Sequence, residues 1–149
     1  MYYHHKILHC FQWRPCGILQ REESAKTRGS VVSLFVLVME VFLGMLQSTI
    51  ARSSTFSFHP KCETLKLTRL CFADDLMLFS SANIHSLTII QDTLEAFKRI
   101  SDLSANPTKS ENFLSAVPAH LKHQILDFLQ FKEGKLPVKY LGVPLILGR

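Results

Sequence analysis

A long apolar run near the start of the chain limits what this sequence can fold into. Residues 31–46 read VVSLFVLVMEVFLGML and carry one charged side chain, Glu40. A helix that crosses a bilayer needs about 20 apolar residues, and a carboxylate at its centre costs about 2.5 kcal/mol or more. Large apolar side chains recur at helical spacing, at Phe35, Val38, Phe42 and Met45. The run therefore predicts a core helix buried on most sides, and no membrane partner.

The composition fits one folded domain. Of the 149 residues, 47% are hydrophobic, which is enough for a core and too many for a disordered chain. The net charge of +5 permits a phosphate-bearing partner without requiring one. The four cysteines form no CxxC pair, and the first residues show no secretory pattern. We therefore expect an intracellular protein, nuclear or cytoplasmic, and the oligomeric state stays open.

The spacing of apolar residues after Pro60 predicts a mixed α+β order of elements. Residues 64–72 alternate in polarity and residues 76–79 form a second apolar run, which predicts two strands joined by a tight acidic turn. A helix is expected after Asn83, with a buried stripe at Leu87, Ile90, Leu94, Phe97 and Ile100. Pro118 is expected to open a further helix, with a buried stripe at Leu121, Ile125, Phe128 and Leu129. Short strands are expected at 112–114 and, singly or as a hairpin, at 138–147.

The acidic turn holds the adjacent carboxylates of Asp74 and Asp75. Charge between two apolar strands is costly unless something compensates it, and Mg²⁺ with substrate phosphates would do so. Two such ions about 4 Å apart would polarise both oxygens of a phosphoryl transfer. Asp-Asp is also common in solvated surface turns, and on the dipeptide alone the surface turn is favoured.

The residues around the turn resemble a known family. LCFADDLMLFS (residues 70–80) resembles the palm-domain active-site hairpin of reverse transcriptases, specifically those of plant LINE-type, non-LTR retrotransposons. Three further blocks agree in order and spacing: LFVLVMEVF (34–42), LSANPTKSE (103–111) and LPVKYLGVPL (136–145). The resemblance implies an α+β fold, a truncated reverse-transcriptase palm with an antiparallel FADD hairpin and flanking helices. It also implies an RNA template, a DNA primer, deoxynucleotides and Mg²⁺.

The resemblance assigns roles to individual residues. Asp74 would be a metal ligand, and Asp75 would sit beside it as a metal ligand or electrostatic support. Ala73 would keep the turn slim near primer and nucleotide, after the aromatic Phe72. Lys109 would stand near the pyrophosphate leaving group as proton donor or charge stabiliser. The primer backbone would be gripped by Tyr140, Leu141 and Gly142, with phosphate contacts from Lys139 and from Lys132 and Lys135.

Two departures from the family predict an inactive fragment. The family places another metal-binding Asp well upstream of residue 34, whereas residues 1–33 contain no Asp. The loop that normally reads RQGDPLSP is replaced by AKTRGSVVS at 25–33. With suitably chosen codons for this segment, the same bases read in a frame shifted by one position encode Arg-Gln-Gly and Pro-Leu, as in the family's loop. We therefore divide the chain into an irregular, frame-shifted segment at 1–33 and a partial reverse-transcriptase domain at 34–149.

Three alternatives for present-day function follow. The first is a palm fragment that has lost polymerase activity, together with the fingers. The second is a non-enzymatic basic module that still binds RNA or DNA through Lys and Arg, with strong salt dependence. The third is the unstable product of a decayed reading frame, which would not unfold cooperatively.

Overall fold

The computed structural model describes residues 6–15, 28–72, 75–140 and 142–145. The three helices are Arg28–Arg52 (α1), Ile84–Ser101 (α2) and Ala119–Leu129 (α3). The strands are Lys6–Pro15 (β1), Arg69–Phe72 (β2), Asp75–Ser81 (β3), Leu103–Ala105 (β4), Glu111–Ser115 (β5), Lys132–Glu133 (β6), Val138–Tyr140 (β7) and Val143–Leu145 (β8). This order confirms the α+β prediction.

Strand β1 lies at the centre of the main sheet, whose order is β2-β3-β1-β5-β6. It is antiparallel to β3 and to β5, and its last residues pair with β4. The hairpin β7-β8 forms a separate two-stranded sheet. Both faces of β1 are covered by packed side chains, and Ile7, Leu8 and Phe11 are fully buried.

The helices cover one face of the sheet. Phe11, Leu76 and Leu78 point to this face and pack with residues of α1 and α2, including Phe42 and Phe97. Residues of α2 and α3 join the same side around Ile7, at Leu87, Ile125 and Leu129. The opposite face carries Leu8, Met77, Phe79 and Phe113 and is covered by Cys62, Leu67, Val138 and Tyr140. The β2-β3 hairpin, which the sequence predicts to be catalytic, therefore has the helices on one face of the sheet and the β7-β8 hairpin on the other.

Several predicted elements agree with the structure. The hairpin β2-β3, helix α2 with its Asn83 cap, strand β5, helix α3 after Pro118 and the hairpin β7-β8 all lie where they were expected. Asn83 Oδ1 accepts from the Ser86 N–H at 2.8 Å, which is the usual way to start a helix.

The structure differs from the expectation for the N-terminal segment. Residues 6–15 of the supposedly irregular 1–33 form the ten-residue strand β1, and α1 begins at Arg28, before residue 34. The strand escapes pattern analysis because its buried residues include the polar His9, whose Nδ1 lies 2.8 Å from Asn112 Oδ1 on β5. The aromatic residues Phe11 and Trp13, which could have stacked on bases, pack in the core.

Three predictions of burial were wrong. α1 is not buried on most sides, because Leu34, Leu37 and Val41 are exposed. Leu65 is 80% exposed, because residues 60–66 form turns and the strand starts only at Arg69. Ile100 and Phe128 are exposed near the ends of α2 and α3, where the predicted apolar stripes no longer face the sheet. The stretch Leu34–Arg52 is long and apolar enough to cross a membrane, and 22% of it is buried. Core helices of soluble proteins meet the same criteria of length and composition.

Candidate functional site

The predicted active-site turn joins β2 to β3. Phe72 and Asp75 are paired across the two strands, and residues 73 and 74 connect them. The predicted roles of Ala73 and Asp74 therefore fall outside the described residues. Asp75 is half-buried at the start of β3, and Phe72 opposite it is 56% exposed. Paired residues share a face of the sheet, so the ring of Phe72 and the carboxylate of Asp75 lie side by side on the face away from the helices.

The strand facing this turn brings Gln12 to Asp75. Gln12 pairs with Asp75 in the β1-β3 register, and its Nε2 donates to Asp75 Oδ1 at 3.0 Å. One oxygen of the carboxylate is thus held by a neutral amide. β1 pairs with β3 on the side away from β2, and the residue that it places opposite Asp75 is Gln12.

Gln12 also anchors the loop that carries Lys109. The backbone O of Gln12 accepts from the Asn106 N–H at 2.6 Å, and its N–H donates to Ser110 Oγ at 3.2 Å. Within the loop, the Lys109 N–H donates to the Asn106 O at 3.2 Å, and the Lys109 side chain is exposed. The structure therefore brings the Lys109 loop and Asp75 together through Gln12, although they are 34 positions apart in sequence.

Two carboxylates raise the pKa of Cys10, whose side chain lies on the same face of the sheet as Gln12. Burial is the main cause that raises the Cys10 pKa to about 11, and the charges of Asp75 and Glu111 add to it. Glu111 pairs with Cys10 from β5, on the side opposite to β3. Burial likewise raises the pKa of Cys71, with the charge of Glu40 as the next cause. Both thiols therefore stay protonated near neutral pH.

The β7-β8 hairpin contributes Tyr140 to the same face. Tyr140 is half-buried against the cluster of Leu8, Met77, Phe79 and Phe113. Burial is the main cause that raises the pKa of Tyr140, followed by repulsion from the ionised forms of Cys71, Asp75 and Cys10. The phenol thus stays neutral within reach of the acidic turn.

Two further residues of the predicted primer contact, Lys139 and Gly142, belong to this hairpin. Lys139 is exposed and pairs with Pro144. Gly142 has φ +79°, a conformation that side-chain-bearing residues rarely adopt, and a Cβ there would meet open space. The prediction for Leu141 falls outside the described residues. Lys132 and Lys135 are exposed as well.

Of the two predicted magnesium ligands, Asp75 lies among the described residues and Asp74 lies outside them. Mg²⁺ prefers oxygen ligands in a near-octahedral arrangement, with one or two carboxylates. Asp75 already has one oxygen in a hydrogen bond, and the facing strand supplies an amide. Among residues 6–15, 28–72, 75–140 and 142–145 there is no group of three His, Cys, Asp or Glu close enough to hold a metal.

Sequence reasoning missed Gln12, Asn106 and Ser110. Asn106 and Ser110 lie within the block LSANPTKSE, but their partner is the backbone of Gln12 in an unpredicted strand. A signal for Gln12 was not available, because the role of a neutral amide depends on the register of β1 against β3.

Comparison with known proteins gives one match. The family described as reverse transcriptase (RNA-dependent DNA polymerase) matches residues 28–145, which is more than half of the chain. The matched range includes β2-β3, the Lys109 loop and β7-β8, and it leaves β1 outside. The curated proteins contain no match to the chain. Three helices and a mixed sheet are compatible with a truncated palm.

Proposed function

The chain belongs to the reverse transcriptase family, and on that premise we propose that it is a palm-derived domain that binds nucleic acid without polymerising it. The observation that carries this proposal is the contact between Gln12 and Asp75. Two-metal chemistry needs carboxylates from both the hairpin and the strand beside it. In this chain that strand is β1, and it offers an amide, which carries no charge to hold a divalent cation.

The surface around Asp75 supports binding of nucleic acid. Phe72 is exposed on the same sheet face and offers a ring on which a base could stack. Lysines in the loop before β5, on β6, after β6 and on β7 are exposed, namely Lys109, Lys132, Lys135 and Lys139. A lysine surface of this kind binds phosphates electrostatically and independently of sequence. RNA template, DNA primer and a hybrid of the two are the partners that the family suggests.

The finer origin is a proposal that rests on the sequence blocks. FADD, LSANPTKSE and LPVKYLGVPL together resemble the plant LINE-type, non-LTR retrotransposon enzymes. The frame change before residue 34 rests on the codon argument alone, because the family match begins at residue 28 and extends into the segment assigned to the shifted frame. A transcript whose codons cannot yield the family's loop in a second frame would contradict the proposed frame change.

One experiment tests binding and inactivity together. We would titrate the full chain into a fluorescent DNA primer annealed to an RNA template, at about 50 and 200 mM salt. We expect binding that weakens at the higher salt, because phosphate contacts release counterions. Lys139→Gln should weaken it and reduce the salt slope by about one. The control is Lys98→Gln, which changes an exposed lysine on α2, behind the sheet.

Each outcome has a clear meaning. Absence of binding at low salt, or an equal loss with Lys98→Gln, would contradict the nucleic-acid proposal. Addition of Mg²⁺ and deoxynucleotides should leave the primer unextended. Extension that is abolished by Asp74→Asn would contradict the proposed loss of polymerase activity.

A further inference from the structure

One side of α1 carries an apolar stripe that the rest of the described protein leaves uncovered. The core-facing side buries Met39, Phe42 and Leu46. On the opposite side, Leu34, Leu37 and Val41 are 53%, 65% and 52% exposed. Scattered exposed leucines are ordinary, but these three follow one line along the helix, which is typical of an interaction surface.

The spacing of the stripe is that of a two-helix seam. Leu34, Leu37, Val41 and Gly44 follow one another at steps of three, four and three residues. This alternation keeps side chains on one face toward a partner helix. Gly44 is exposed, and a Cβ placed there would have no atom within 4 Å. The stripe therefore consists of three apolar side chains followed by a gap.

The stripe is complementary to itself. Leu34 lies five residues before residue 39 and Gly44 lies five after it, while Leu37 and Val41 lie two before and two after. An antiparallel copy of α1, turned about a two-fold axis level with residue 39, places Leu34 against the gap at Gly44 and Leu37 against Val41. Such a contact is the same for both copies and closes as a dimer.

We propose that α1 pairs with α1 of a second copy of this chain, antiparallel, through Leu34, Leu37, Val41 and Gly44. The same axis brings the two copies of exposed Glu40 close to each other, because residue 40 lies one position from the centre. Like charges oppose association, so the dimer is weak and its strength depends on Glu40. This inference is independent of the proposed nucleic-acid binding.

Sedimentation equilibrium of the full chain over a range of concentrations tests the proposal. Leu37→Glu should weaken the dimer more than about tenfold, because the seam would bury an unpaired charge. The matched control is Val36→Glu, which replaces a neighbouring exposed apolar residue off the stripe (48% exposed) and should leave the dimer unchanged. Circular dichroism of both variants checks that they remain folded.

A second variant tests the position of the axis. A chain with Glu40→Lys, mixed with the natural chain, should form mixed dimers in preference to either homodimer, since the opposed charges would then attract. A parallel or shifted pairing would not place residue 40 against itself in this way. A monomer at every concentration, or equal weakening by Leu37→Glu and Val36→Glu, would overturn the proposal. So would lipid-vesicle binding that Leu37→Glu abolishes in a chain that stays monomeric.

Discussion

His9 is a titratable side chain enclosed in the core. Its Nδ1 lies 2.8 Å from Asn112 Oδ1, and Nε2 has no hydrogen-bond partner among the described residues. Burial is the main cause that lowers the His9 pKa from 6.5 to about 4, and the Asn112 bond opposes it. Between these two values the unfolded chain binds a proton that the folded chain does not bind, so stability falls as the pH drops through this window.

Replacing His9 should flatten this pH dependence. Between pH 7 and pH 4.5, we expect the free energy of unfolding to fall by about 2 to 3 kcal/mol more in the natural chain than in His9→Gln. The glutamine keeps an amide for Asn112 and does not titrate. Urea unfolding at both pH values measures the difference. His59 also has a lowered pKa, through burial and then the charges of Lys6 and Lys61, and it is present in both chains. Parallel pH profiles would show that His9 is not the source.

Two glycines should respond to alanine in opposite ways. A Cβ at Gly134 would overlap the ring of Phe113, which is buried, so Gly134→Ala should lower the free energy of unfolding by about 1 to 3 kcal/mol. Gly44 lies within α1 with open space around it, so Gly44→Ala should raise that free energy by about 0.5 to 1 kcal/mol. Chemical denaturation of both variants provides the comparison, and a loss in both would refute the steric explanation.

At the scale of elements, helix α2 depends on its first turn. Asn83 caps the Ser86 N–H, and Ser86 Oγ in turn accepts from the Ser57 N–H at 2.8 Å. Asn83→Ala should therefore cost about 1 kcal/mol of unfolding free energy, whereas Asn83→Asp should keep the cap. Equal stability of the alanine and aspartate variants would argue against a role for the cap.

The elements also show what a single sequence can predict. α2 was predictable because its apolar residues keep one period and an asparagine stands at its start. β1 was not, because it is buried on both faces, contains His9 and Gln12, and owes its place to pairing with β3 and β5. The length of α1 was underestimated at both ends, and its exposed stripe could not be told from core by composition.

For the candidate site, the sequence predicted the hairpin and the loop but not their contact. Asp75, Phe72 and Tyr140 were identified from the family resemblance, and the structure brings them to one sheet face. The amide of Gln12 became visible only through the register of a strand outside the matched family range. Non-local pairing of this kind depends on the whole chain and leaves no local pattern.

At the scale of the whole molecule, the central strand comes from a segment that the family does not match. β1 supplies Ile7, Leu8 and Phe11 to three separate core clusters and places Gln12 opposite the acidic turn. The same strand that completes the fold thus leaves the turn without a facing carboxylate. The proposed loss of polymerase activity therefore depends on position 12.

The most direct test is calorimetric titration of Mn²⁺, as a surrogate for Mg²⁺, into the natural chain, Gln12→Asp and the neutral control Gln12→Asn. Thermal unfolding would confirm that each variant is folded, since Gln12→Asp adds a second charge beside Asp75. We predict at least about tenfold tighter binding by Gln12→Asp than by the other two, because a facing carboxylate completes the donor set. Equally tight binding by the natural chain, together with primer extension, would contradict the account.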